Sequence, residues 1–570
     1  MLFLTPEKMK QLRIMDSAHG GAEEREGDMK KNLYRMIASV LVMMMLVLFG
    51  AGNVPEVKAA AGAQMTIVAC QINPDLKTVT VIGSSAALPA SDDGMMYLFA
   101  EPTYSGGITT NYIAAQPMST TVGFAADLLQ GQANSRLYSK FVIATVQNGV
   151  FVPVSNFCYL TNPEILATHT AARTVTVSKK GLIPDPARLN TGELADLGVQ
   201  HISYNIPVSN ILGPTTNSAY PTINYTYNGK TYQFNGLAVA EYDGLFRQMQ
   251  AQNICVTAVL VNNLNPNYAF LIHPLALDGT MAAYYAFNAA DPLGTEYLAA
   301  IGSFLASRYS GCGYGKVDNW IVGNEIPART QWNYIQSMPV EMYAEEYAKA
   351  LRIFYTAIVS ENANARVYTS VDQVWDTNKK YPFRYDAEDF LVALNNTISA
   401  QGNFAWGVSC HPYPVPLTFA PWWIGQRYYK NLVKHHGNSP YVTMENVEVL
   451  TDFMCDPSML APDGQVRPII INEVGYTSAQ GEAYQAAAFT YGYLQAANNQ
   501  HIDAFIINSQ LDHPAEIAQG LLLGIQNMDG SHKLVYDYFK FVDTPYAAPY
   551  YQQAAALIGI TDWGTALTPR

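Results

Sequence analysis

Two short stretches of the chain end on the same pair of residue types. Val317 to Pro327 reads VDNWIVGNEIP, and Pro468 to Gly475 reads PIIINEVG. Each is an apolar run closing on Asn-Glu, at Asn324-Glu325 and at Asn472-Glu473. A carboxylate at the end of a run that must be buried is poorly solvated. Two of them brought to one place divide the labour of acetal cleavage: one gives a proton to a leaving oxygen, and the other attacks or stabilises the electron-poor carbon. A single Asn-Glu has a simpler reading, because both residues are common at helix starts. The second copy is what points to chemistry.

The elements that must hold these residues are legible as apolar runs alternating with helical stripes. Expected strands are Thr174 to Lys179, His201 to Val208, Ile254 to Asn262, Val317 to Asn324, Arg366 to Asp372, Phe404 to His411, Pro468 to Glu473 and Asp503 to Gln510. Runs such as Trp320-Ile321-Val322 suit parallel strands covered on both faces. Between them, Tyr242, Leu245, Phe246 and Met249 fall on one helical face, as do Leu298, Ile301 and Leu305, and Tyr343, Tyr347, Ala350, Leu351 and Phe354. Eight such repeats predict an α/β fold, a (β/α)8 TIM barrel over residues 163–570, with chemistry at the C-terminal ends of its strands. A doubly wound sheet would carry a glycine-rich phosphate turn after its first strand, and Lys179-Lys180-Gly181-Leu182 is not one.

Residues 60–162 have a different texture: short β-runs with turn chemistry between them, including a hairpin signal at Asn148-Gly149. They predict a small all-β, immunoglobulin-like sandwich, an accessory domain before the barrel. A glycan-binding role for it would require an exposed aromatic platform; otherwise it packs or spaces. Residues 1–59 are read as an N-terminal extension and a secretory signal peptide, with Lys30, Lys31 and Arg35 before an apolar core from Met36 to Phe49 and a small-residue cleavage site at Val57-Lys58-Ala59. The expected location is extracellular, with no membrane anchor in the mature form.

Only 14% of the 570 residues are charged, well under the roughly 25% of average soluble proteins, while tyrosine alone contributes 38. Such a surface suits neutral, hydroxyl-rich ligands. After removal of residues 1–59 the chain has 25 basic and 39 acidic residues, a net charge of −14. Nucleic acid is therefore excluded as a partner. The six cysteines, at 70, 158, 255, 312, 410 and 455, show no CxxC spacing or histidine cluster, so neither a metal nor a cofactor is expected. Cys70 and Cys158 stand on the first and last strands of the N-terminal region, which a disulfide between them could bridge.

In a barrel, strands four and seven face each other across the mouth, which sets Glu325 opposite Glu473. At these residues the chain resembles the clan A retaining glycoside hydrolases, cellulase-like TIM-barrel enzymes with an Asn-Glu acid/base ending strand four and a Glu nucleophile ending strand seven. The resemblance covers about residues 170–545. It implies that Glu325 is the acid/base, Glu473 the nucleophile and Asn324 the neighbour that bonds the sugar 2-hydroxyl. It also implies that His411 and Tyr413, in His411-Pro412-Tyr413 after strand six, touch the substrate or the nucleophile. A phenol donating to Glu473 would favour its charged form. Trp332, Trp375 and Trp422, with Trp423, follow the ends of strands four to six, where sugar rings would stack. Asn262 and Asp372 are candidates for hydroxyl contacts. The chain departs from the clan's pattern at Tyr204-Asn205-Ile206-Pro207, which lacks an Arg, at Asn508-Ser509-Gln510, which lacks a Trp, and at Val474-Gly475, which lacks an aromatic residue.

The expected function is thus a secreted retaining glycoside hydrolase acting on a poly- or oligosaccharide. The alternative is a non-catalytic carbohydrate-binding barrel of the cell surface. A binder, however, needs neither an acid nor a nucleophile.

Overall fold

The computed structural model describes residues 64–567 apart from 380, 428 and 430. The leader expected over residues 1–59 lies outside the described residues. Among those described, no helix is long and apolar enough to cross a membrane.

The N-terminal part contains strands β1 (Thr66–Ile72), β2 (Thr78–Ser84), β3 (Met95–Glu101), β4 (Ala114–Pro117), β5 (Thr121–Asp127), β6 (Lys140–Gln147), β7 (Val150–Pro153) and β8 (Cys158–Tyr159). They form two antiparallel sheets, β1-β2-β5 and β4-β3-β6-β7, with β8 also paired to β6. In β5 the burial alternates strictly: Val122, Phe124 and Ala126 point inward and their neighbours face water. Asn148 and Gly149, both at positive φ, make the tight β6–β7 turn. Met96, Leu98, Phe124, Phe141 and Ile143 belong to a core distinct from that of the barrel. Cys70 and Cys158 are free, buried thiols, and the Cys70 thiol donates to the Cys158 carbonyl at 3.7 Å.

The remainder adds β9 (Lys180–Leu182), β10 (His201–Pro207), β11 (Ile223–Tyr227), β12 (Lys230–Phe234), β13 (Cys255–Val261), β14 (Asn319–Val322), β15 (Arg366–Asp372), β16 (Trp406–His411), β17 (Ile469–Val474) and β18 (Ile502–Ile507). Eight of them, β9-β10-β13-β14-β15-β16-β17-β18, close into a parallel barrel, with β18 paired back onto β9. This is the (β/α)8 architecture. Val259, Val261, Ile321, Tyr368, Ile470, Ala504 and Ile506 fill its interior. The opposite faces of the strands pack on the helical stripes: Phe246, Ile301, Leu305, Leu351 and Phe354 are all buried there. The antiparallel pair β11–β12 is an insertion after the second barrel strand.

The first strand begins later than the sequence suggests. Thr-Val-Thr-Val at 174–177 alternates like a strand, yet Val175 is 77% and Val177 93% exposed. Thr174 is instead tied to the Asp318 carboxylate by its backbone N–H (2.8 Å) and hydroxyl (2.7 Å). Pairing starts at Lys180, whose buried ammonium reaches Asp543 at 2.7 Å. Gly181 follows because strands crowd it: a Cβ there would lie 2.7 Å from Ile506 and 2.9 Å from the His201 carbonyl.

Candidate active site

Glu325 and Glu473 stand at the C-terminal ends of the fourth and seventh barrel strands, each half-buried. The chain leaves β14 through Gly323 (φ +80°) and then holds Glu325 at φ +40°, a left-handed conformation that costs a non-glycine residue about 1–3 kcal/mol. Neighbours fix this turn. The Glu325 N–H donates to Ser370 Oγ at 3.1 Å, Ile326 N–H donates to the Ser370 carbonyl at 2.9 Å, and the buried Tyr343 hydroxyl donates to the Ile326 carbonyl at 2.6 Å.

His411, wholly buried at the end of β16, links the two strands. Its Nδ1 is 2.8 Å from Glu325 Oε1, and its Nε2 is 2.9 Å from Asn472 Oδ1. Both ring nitrogens thus face acceptors, which is the pattern an imidazolium satisfies. Burial works against the charge on His411, but the Glu473 charge, the Glu325 hydrogen bond and charge, and the Asn472 bond outweigh it and push the ring up to about 9. Asn472 is held in turn by the Ser409 hydroxyl, and its amide reaches Ser203 Oγ at 3.5 Å.

Glu473 has a different partner. The Tyr413 hydroxyl donates to its Oε1 at 2.7 Å, and the Asn508 amide donates to the Tyr413 oxygen at 3.0 Å. Burial, and then the charge of Glu473, hold this phenol well above its ordinary range, so it stays a donor. The two carboxylates therefore sit in contrasting surroundings, one beside a cation and one beside a neutral phenol.

Other candidates divide. Asn324 is half-buried beside Glu325, and Trp332, also half-buried, packs on Tyr284 with ring centroids 5.9 Å apart. Asp372 is buried and paired with Arg384; burial, partly offset by Arg384 and reinforced by the Glu325 charge, pushes it up to about 6. It supports the Glu325 side of the site and does not offer an open hydroxyl contact. Three further expectations fail. Asn262 is 1% exposed, and its amide ties down a loop through the Leu271 (2.9 Å) and Ala286 (3.3 Å) carbonyls. Trp375, 1% exposed, donates its indole N–H to Gly437 and meets the Phe453 ring edge-on. Trp422 is 5% exposed and stacked on Tyr491 of helix Glu482–Asn498 at 4.5 Å. Both indoles are covered by protein, so neither presents a stacking face.

The structure also brings in residues that the sequence reading passed over. Tyr284 lies where its phenol, raised first by burial, feels the Glu473 charge and bonds to Asn205. Glu516, after β18, is raised by burial and then by the Glu473 and Asp512 charges, and the Asn508 amide reaches its Oε1 at 3.5 Å. Arg384 and Tyr284 sit on irregular loops and Glu516 on the single helical turn Pro514–Ile517, all too short or irregular for periodicity to mark them. Among the described residues, no group of three or more His, Cys, Asp or Glu is placed to hold a metal.

No curated protein sequence matches the chain. Among solved structures, the GH5_18 protein of Streptomyces cattleya, in complex with GlcNAc, is 13% identical with a TM-score of 0.42, covering 70% of this chain and 94% of that one. A β-glucosidase from Thermotoga maritima, in complex with glucoimidazole, is 11% identical with a TM-score of 0.38, covering 66% and 88%. A β-glucuronidase of Bacteroides uniformis is 8% identical with a TM-score of 0.36, covering 84% and 50%, so this chain spans about half the length of that protein. Scores this low carry no argument about activity, and the barrel rests on its own strand pairing. Residues 172–566 match the model of a family of unknown function, DUF5722, and the chain belongs to that family.

Proposed function

We propose that the chain is a glycoside hydrolase that cleaves O-glycosidic bonds of a poly- or oligosaccharide by a retaining double displacement. The observation that carries this reading is the contrast between the two carboxylates: Glu325 at 2.8 Å from His411 and Glu473 at 2.7 Å from the Tyr413 hydroxyl, both at one mouth of a parallel barrel. A purely binding barrel has no need to distinguish two acids in this way.

In the first step a Glu473 oxygen forms a bond to the anomeric carbon. The bond to the leaving oxygen breaks, and the proton that His411 and Glu325 share across their 2.8 Å contact passes to it from Glu325. Tyr413 orients the attacking carboxylate, and His411 holds Glu325 against the mouth. Once Glu473 is esterified, the negative charge that helps keep His411 protonated is gone. In the second step Glu325 takes a proton from water, the water oxygen attacks the anomeric carbon, and Glu473 is released as carboxylate. Asn324, Trp332, Tyr284 and Asn205 surround the sugar.

The two antiparallel sheets of residues 66–159, with a core of their own, support reading residues 60–162 as an accessory sandwich of immunoglobulin type. Secretion rests on the leader-like residues 29–60 alone. The test of function is release of reducing ends from a glycan panel by the purified chain, lost in Glu325→Gln and in Glu473→Gln. Retardation in a glycan gel with no release at any time, unchanged by either substitution, returns the reading to a carbohydrate binder.

A further inference from the structure

Strand alternation gives the five-stranded sheet two apolar faces. Met96 and Leu98 of β3 and Phe141 and Ile143 of β6 enter the N-terminal core. Their neighbours Tyr97, Phe99, Val142 and Ala144 project from the opposite face, into a separate small cluster. Tyr97 lies opposite Ala144 and Phe99 opposite Val142, so β6 supplies a low floor beside two rings. Phe151 of β7 leans over that floor, its ring 5.0 Å from Tyr97 and 5.1 Å from Phe99. Tyr112, just before β4, closes the group at 5.0 Å from Tyr97 and 6.1 Å from Phe151. Phe99 is fully covered, whereas Tyr112 is 50% and Phe151 41% exposed.

We propose that this face, built on Tyr97, Tyr112 and Phe151, is a second binding surface for a neutral glycan chain, made of none of the residues at the barrel mouth. Three observations select that ligand. The rings are braced against one another edge-on, at interplanar angles of 62° and 74° to Tyr97, so their orientation is set before a ligand arrives and little side-chain entropy is lost on binding. The rim carries Asp92 and Asp93, Asp93 accepting from the Tyr97 hydroxyl at 2.6 Å and Asp92 from the N–H of Gly149, in the turn before β7, at 3.0 Å. That rim meets hydroxyls and repels a polyanion. Finally, half-exposed rings offer roughly 100 Å² each. Tyr112 and Phe151, with the partly covered Tyr97, fall well short of the ~800 Å² per partner that a stable protein interface buries, but they match the C–H faces of a few sugar rings.

The choice of a glycan over other neutral ligands rests on the glycosidase reading of the barrel. The experiment separates the two. The full chain and its Tyr112→Ala/Phe151→Ala variant are sedimented with insoluble cellulose, xylan, mannan and β-1,3-glucan. The expected result is retention of the unaltered chain on at least one polysaccharide and at least tenfold weaker retention of the variant, at equal melting temperature and with equal turnover of a soluble aryl glycoside. Tyr112→Ser alone, at a loop position, gives a milder loss if the double variant unfolds, and Tyr112→Phe retains binding. No retention of the unaltered chain on any of the four overturns the proposal. So does equal retention of both chains, which assigns binding to the barrel mouth, and so does a concentration-dependent dimer that the double variant abolishes. Retention that depends on Tyr112 but persists in a chain with no detectable hydrolysis supports the surface while removing the catalytic reading.

Discussion

His411 Nδ1 stands 2.8 Å from Glu325 Oε1 while the same ring's Nε2 stands 2.9 Å from Asn472 Oδ1, so one buried imidazole joins the end of the fourth barrel strand to the seventh. The contact makes the protonation of His411 a property of both strands, and its consequences can be measured.

The first is a pH dependence of stability. His411 is pushed from its ordinary 6.5 up to about 9 in the folded chain, so folding favours its protonated form. The stabilisation is therefore fully present below about pH 6.5 and is lost as pH rises through 9. The melting temperature should fall by several degrees across that window, and His411→Asn should flatten that part of the curve. A slope unchanged in the variant would show that another group carries it.

Glu473 and Glu325 variants should differ in kind. Glu473→Ala should abolish turnover of every substrate, and azide should restore it with a glycosyl azide of inverted configuration. Glu325→Ala should spare the first step for aryl glycosides whose leaving group needs no proton, and azide should give a product of retained configuration. Direct release of the inverted sugar by the unaltered chain, seen by proton NMR before mutarotation, would exclude the retaining route.

Tyr413→Phe removes the donor to Glu473 and the acceptor of the Asn508 amide together. The predicted loss is on the order of 10–100-fold in kcat with a smaller change in KM, because the bond serves the attacking carboxylate more than sugar binding. An unchanged kcat would mean that Tyr413 only packs.

The backbone at Glu325 allows a test independent of activity. At φ +40° a glycine is at ease and an alanine is not. Glu325→Gly should be more stable than Glu325→Ala by about 1 kcal/mol, read by urea unfolding, although both lack the acid that glycan cleavage needs. Equal stabilities would place the residue in an unstrained turn.

A chain starting at Asn162 should still unfold cooperatively, because the barrel has its own core. It should melt several degrees lower, since it loses Tyr159, whose ring lies 4.4 Å from the buried Arg352 guanidinium and whose N–H donates to the Gln401 carbonyl. Insoluble protein would show that the two parts share one core.

The sequence by itself determined the barrel and the two acids. β13, β15 and β16 are buried at nearly every position, so an apolar run long enough for one strand is already a statement about parallel pairing, and Glu325 and Glu473 are placed by the ends of such runs. Tyr413, two residues past a strand end, was within reach of the same argument. What only the tertiary structure decided is where loop side chains go and which acid has which partner. Trp375 and Trp422 follow strand ends as a sugar platform would, yet distant segments, Gly437 with Phe453 and the helix bearing Tyr491, cover them. Val175 and Val177 alternate like a strand, yet both side chains are exposed and their backbone groups bond to the side chains of Asn253 and Gln200. Arg384 and Tyr284 come to the mouth from loops, and Glu516 from the one-turn helix Pro514–Ile517, whose course depends on contacts far along the chain. Periodicity reports local burial, whereas the bond from His411 to Glu325 spans 86 residues and exists only once the barrel has closed.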